Sequence, residues 1–142
     1  TLGLLPIDWY GQRGQVNLAL GYAEHSGIYV GNGEIVHLNG DGEIERVGAQ
    51  EFLARLDGFN PAVSIYVSCD ENAFPQGGRH IAQRASAQVG QWRDYNVVLN
   101  NCHQFSSGCV TGEFENPDSF LWFLKGTCKK HMDATMWRVW DR

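Results

Sequence analysis

Long apolar runs, basic charge and proline are all in short supply in this chain. Nothing approaches the roughly 18 consecutive apolar residues of a membrane-crossing helix, and the first residues lack the basic-then-apolar pattern of a secretory leader. Basic residues number 11 against 16 acidic ones, a formal charge of −5, so no net attraction to nucleic acid or anionic lipid is expected. Four cysteines (Cys69, Cys102, Cys109, Cys128) are too few for a disulfide scaffold in 142 residues and too scattered for a zinc ribbon. If Cys102 and Cys109 share a helix, the 1.5 Å rise puts them about 10 Å apart, beyond disulfide reach. Repeats, low-complexity tracts and linkers are absent. Charge is sparse at 19%, but 43% apolar and 12% aromatic content excludes a disordered tail. The chain therefore reads as one soluble domain, residues 1–142, cytoplasmic or effector-delivered rather than disulfide-rich and secreted. It starts at Thr1 without methionine, as an excised piece of a longer protein does.

Glycine is what the chain has in excess, 17 residues against the roughly 7% usual in globular proteins. Such a density predicts tight turns and close backbone approaches. Val16–Leu20 reads as a strand. Ile28-Tyr29-Val30 and Glu34–Leu38 flank Gly31-Asn32-Gly33, which is a hairpin. Ile44–Val47 follows the Gly40-Asp41-Gly42 turn as a third strand, and Val63–Val67 is another. Gln50–Leu56 and Arg79–Val89 have helical spacing, the latter stopping at Gly90. Asn100-Asn101 opens a helix that begins at Cys102 and ends near Gly112. Ser119–Leu124 and Met132–Trp140 read as two further short helices, a C-terminal extension over 118–142. Strands first and helices later indicate an α+β domain with a largely antiparallel sheet.

Cys102 is the residue most suggestive of chemistry. In the first turn of an N-capped helix, backbone donors and the helix dipole favour a thiolate and lower the thiol pKa. A nucleophilic thiol needs a proton acceptor, and His25, His37, His80, His103 and His131 are the candidates. Strand parity separates them. A two-residue loop at Asn32-Gly33 would send His25 and His37 to opposite faces. A three-residue loop with left-handed Gly33 pairs 27 with 37 and 25 with 39, so that both histidines share a face. The three-residue loop is the expectation. His80 and His131 read as surface residues, and His103 points about 100° away from Cys102 around the helix.

His25-Ser-Gly-Ile-Tyr-Val-Gly-Asn-Gly-Glu-Ile-Val-His37 resembles the first signature of the lecithin retinol acyltransferase family. Asn101-Cys102-His103-Gln104-Phe105 is similar to its second, usually N-C-E-H-F, and Cys109-Val110-Thr111-Gly112 is similar to the segment after that signature in bacterial members. The matches span residues 22–112 in order. The resemblance implies a circularly permuted papain-like fold of the NlpC superfamily, with an antiparallel sheet carrying the histidines against the helix that starts at Cys102. It also implies roles: Cys102 as nucleophile, His25 as general base, His37 orienting His25. The chain departs from the pattern at His103 and Gln104, which replace Glu and His, and at Ser26, where Trp is frequent.

The expected activity is a cysteine hydrolase or acyltransferase working through a thioacyl-enzyme on lipid esters. The alternatives are a peptidase or amidase acting, for example, on peptidoglycan, a toxin domain, or a non-catalytic binding module. The expected partner is a lipid or other acyl or amide substrate, with transient membrane-surface contact and no cofactor. A zinc site of His25, His37 and Cys102, with or without His103, suits zinc's ligand preferences but lacks a short-spaced ligand pair. Phe120, Trp122 and Phe123 are expected in the core, with Trp137 and Trp140 capping it. A Met132, Met136, Trp140 stripe on a helix is a minority candidate for an acyl or lipid surface, and no hydrophobic anchor is otherwise apparent.

Overall fold

The computed structural model describes residues 6–9, 24–54, 65–94 and 101–140. The expected strand Val16–Leu20, and Leu56, Val63, Ser64 and Asn100 in other expected elements, lie outside the described residues. The chain runs β1 (Pro6–Trp9), β2 (Glu24–Ser26), β3 (Ile28–Gly31), β4 (Glu34–Leu38), β5 (Ile44–Gly48), α1 (Ala49–Ala54), β6 (Ile65–Cys69), α2 (Arg79–Gln88), α3 (Cys102–Thr111), α4 (Leu121–Met132) and β7 (Met136–Val139). All strand pairs are antiparallel, so the class is α+β. The strands form two sheets rather than one, ordered β2-β1-β6-β7 and β3-β4-β5.

The hairpin reaches its expected register by a different route. Asn32 (φ 54) and Gly33 (φ 74) are both left-handed, the signature of a two-residue type I′ loop, and Gly31 pairs with Glu34. A bulge between Tyr29 and Gly31 absorbs one residue, so Ile28 lies across from Val36 and Gly27 falls in line with His37. The ladder stops there. Beyond Gly27 the chain crosses into the other sheet, where His25 pairs with Asp8 and not with Asn39. Gly27 permits that crossing, because a Cβ at this position would lie 2.8 Å from Ile35 Cγ2 and 2.9 Å from Phe52 Cε1. The β4–β5 turn is held by the Asn39 side chain, whose Oδ1 accepts from the Asp41 and Glu43 amides.

Two apolar clusters hold the fold. One packs Ile28, Val36, Leu38 and Ile44 against Ile81 and Ala85 of α2, Phe105, Cys109 and Val110 of α3, and Leu121, Leu124 and Cys128 of α4. The other packs Ile35 and Val47 against Phe52 of α1 and Ile65 of β6. α3 is buried along its length from Cys102 to Val110. It ends at Gly112 in the left-handed conformation, and Arg84 Nη1 donates to its last-turn carbonyls, Cys109 O and Val110 O, each at 3.0 Å.

The C-terminal segment differs from its sequence reading. α4 runs the full stretch to Met132 and stops at left-handed Asp133. Met136–Val139 then forms a strand on β6, Cys69 facing Met136, instead of a second helix. A Met132, Met136, Trp140 stripe therefore does not form. Phe120, Trp122 and Phe123 are on the surface (40%, 64% and 46% exposed) rather than in the core. The reason is rotational. Leu121, Leu124 and Cys128, at i, i+3 and i+7, take the inward face, and at 100° per residue Trp122 and Phe123 turn away from it.

Candidate active site

The three residues singled out above sit on three different elements. His25 is on β2 in one sheet, His37 on β4 in the other, and Cys102 is the first residue of α3. The crossing at Gly27 folds the sheets together so that His25 Nε2 lies 2.5 Å from His37 Nδ1, the two rings edge to face. Phe52 packs on both imidazoles, with ring centroids 4.9 Å from His25 and 5.4 Å from His37. All three rings are buried.

The pairing continues one residue further than the sequence pattern indicates. His37 Nε2 lies 3.0 Å from Glu45 Oε1, its directly facing partner on β5. A carboxylate only accepts, so this contact puts the proton of neutral His37 on Nε2 and leaves Nδ1 as an acceptor. His25 must then donate through Nε2, which makes Nδ1 the basic nitrogen of neutral His25. Glu45 had a sequence signal: an acidic residue in the strand after the Gly40-Asp41-Gly42 turn, at the position opposite His37. Phe52 had a weaker one, as one of three apolar residues, with Leu53 and Leu56, that give the expected helix Gln50–Leu56 its spacing.

Cys102 is set by the cap of α3. Asn101 Oδ1 accepts from the His103 and Gln104 amides at 3.0 and 3.2 Å, and its Nδ2 donates to Ser119 O at 2.6 Å. β2 runs beside this first turn. Ser26 Oγ lies 3.3 Å from Cys102 O, 2.9 Å from His103 Nδ1 and 2.9 Å from Ser106 Oγ. The Ser26 amide and hydroxyl, with the His103 amide, favour a charged sulfur, yet burial outweighs them and pushes the Cys102 thiol up to about 11. This corrects the expectation of a lowered pKa: the helix start contributes donors, but desolvation wins. Cys69, Cys109 and Cys128 are buried free thiols, and burial raises their pKa in the same direction.

His103 does not point away into solvent. It is buried, hydrogen-bonded to Ser26, and burial lowers its pKa to about 4, so it is neutral near pH 7. Ser26 and His103, two of the three departures from the family signature, thus meet each other. The third, Gln104, braces the connection to α4: its Nε2 donates to Asn116 O at 2.9 Å, and Asn116 Nδ2 returns a bond to Gln104 O at 3.1 Å. His80 and His131 are exposed. Among the described residues no group of three or more His, Cys, Asp or Glu side chains is arranged to hold a metal ion.

Comparison with known proteins agrees with the signatures. A curated relative is human phospholipase A and acyltransferase 2, 32% identical over 100 residues, which cover 60% of this chain and 60% of that protein. The sequence profile of the family described as lecithin retinol acyltransferase matches residues 11–115, most of the chain. The chain belongs to the lecithin retinol acyltransferase family.

Proposed function

We propose that this protein is a cysteine acyl hydrolase or acyltransferase acting on lipid esters, with Cys102, His25 and His37 as its catalytic residues on a permuted papain-like domain. The observation that carries the reading is the relay Glu45–His37–His25, both imidazoles buried, whose tautomers leave a basic nitrogen on the residue next to Ser26, which itself contacts Cys102. The likeness to a phospholipase A and acyltransferase supports the lipid ester as substrate.

The high thiol pKa dictates how the chemistry runs. With its pKa pushed up to about 11 by burial, Cys102 rests as a neutral thiol and not as the thiolate of a preformed ion pair. As Cys102 Sγ bonds to the ester carbonyl carbon, its proton passes to His25 Nδ1, and the imidazolium is stabilised through His37 by the Glu45 carboxylate. The carbonyl oxygen becomes an oxyanion. The Cys102 amide, at the start of α3, is the donor assigned to that oxyanion. Collapse breaks the ester C–O bond, the departing alkoxide takes the proton from His25, and a thioester remains on Cys102. Water or an acceptor amine or alcohol then attacks it by the reverse sequence, regenerating the thiol.

Incubation with phosphatidylcholine vesicles followed by intact mass spectrometry tests this. The expected result is a fatty-acyl adduct mapped to Cys102, absent in Cys102→Ser as a thioester and lost on hydroxylamine treatment. Fatty acid release without any adduct-forming dependence on Cys102, or cleavage of a peptidoglycan fragment with lipid esters untouched, would overturn it.

A further inference from the structure

The first turn of α4 carries an apolar surface that the fold leaves uncovered. Trp122 and Phe120 stack nearly parallel, with centroids 4.5 Å apart and planes 9° apart, and Phe123 packs against Trp122 at 5.4 Å. Three contiguous aromatic rings in water are ordered by each other rather than by the core. On a helical wheel Trp122, Phe123, Gly126, Lys129 and Lys130 all fall within about 120° of arc, and all five are exposed. One helix face therefore presents aromatics in its first turn, a glycine without a side chain at mid-length, and two lysines in its last turn. Lys125 flanks this face over the ring of Trp137, and Asp133 adjoins it at the cap.

We infer that the exposed face of α4 docks on an anionic phospholipid surface, with Phe120, Trp122 and Phe123 entering the interfacial layer and Lys129 and Lys130 on lipid phosphates. Exposed aromatic rings suit the membrane–water interface, and lysines beside them suit anionic headgroups. Local charge selects the partner: Lys129 and Lys130 make a basic spot beside the aromatic rings, on a chain whose net charge of −5 gives no overall attraction to an anionic surface. Position supports it too. Asn101, which precedes Cys102, is hydrogen-bonded to Ser119 O, and Phe120 comes directly after, so the aromatic turn adjoins the nucleophile's end of α3. Among the described residues no helix is long and apolar enough to cross a membrane.

The inference rests on the lipid-ester reading for its purpose, but vesicle binding needs no turnover and is measured separately. In co-sedimentation of the 142-residue chain, phosphatidylserine-containing vesicles are expected to bind at least tenfold better than pure phosphatidylcholine, with the difference lost in high salt. At about fivefold per lysine, Lys129→Gln with Lys130→Gln weakens binding roughly 25-fold. Trp122→Ala with Phe123→Ala weakens it by about tenfold or more on both vesicle types, with an unchanged thermal midpoint confirming the fold. Equal binding to both vesicles, binding unaffected by either pair, or concentration-dependent dimerisation through this face in place of vesicle binding would each overturn the inference. Vesicle binding without any acyl adduct would instead count against the catalytic reading alone.

Discussion

In the proposed mechanism Glu45 is the single side chain that decides the direction of proton flow. Its carboxylate, 3.0 Å from His37 Nε2, sets the His37 tautomer and, in that mechanism, offsets charge on the His25–His37 pair during reaction. Glu45→Gln keeps an acceptor at the same place but removes the charge. The expected outcome is a fall in kcat on the order of 100-fold with little change in KM. An anion favours the protonated imidazole, so its removal also shifts the acid limb of the pH–rate profile to lower pH. A purely structural role would lower stability and leave that limb in place. His103 offers a second test, in stability rather than rate. Unfolded, a histidine takes a proton below about pH 6.5; buried here it does so only near 4. Stability is thus full above pH 6.5 and falls as the pH drops toward 4, by about 2 kcal/mol at pH 5 from this group. Urea unfolding at pH 7 and pH 5 should show that loss, and His103→Gln should reduce it.

At the scale of elements, the site depends on one crossing strand and one capped helix, and these are unequally visible in the sequence. The α3 helix is legible at both ends, because Asn101 is a side-chain cap and Gly112 a left-handed stop, both local chemistry. The hairpin is legible in outcome but not in construction. Two positive φ angles and a bulge replace a three-residue loop, since both routes satisfy the same Gly-Asn-Gly residues and only the ladder distinguishes them. That His25 leaves the sheet at Gly27 is not legible, as it depends on Phe52 and Ile35 arriving from elsewhere in the chain. Gly27→Ala tests the crossing. A methyl placed 2.8 Å from Ile35 and 2.9 Å from Phe52 must displace the side chain that supports both imidazoles. The expected cost is about 1–3 kcal/mol of stability, together with loss of activity out of proportion to it. Stability falling while kcat holds would show that the histidine contact survives without the close approach.

For the whole molecule, the question is where the functional unit ends. The family match stops at residue 115, and the residues beyond it read from sequence as a helical extension. The architecture argues otherwise. Leu121, Leu124 and Cys128 complete the cluster under α3, and β7 adds a strand to the sheet that holds His25. The order β2-β1-β6-β7 means that β7 covers the open edge of β6, β6 holds β1, and β1 holds the strand bearing the proposed base. β7 escapes sequence reasoning because Met136 to Trp140 shows no alternation; a short edge strand is specified by the vacancy beside it, not by its own pattern. Ending the chain after Asp133 removes four paired residues, the half-buried Trp137 among them, and the half-buried Trp140. The expected loss is roughly 3–5 kcal/mol in urea unfolding, with greater aggregation through the bared β6 edge. Adduct formation at Cys102 should decline in step, because loosening β6 and β1 frees His25 from His37 before it disturbs α3. A truncated chain as stable and as reactive as the parent would instead make β7 an appendage and confine the working domain to the segment the family profile recognises.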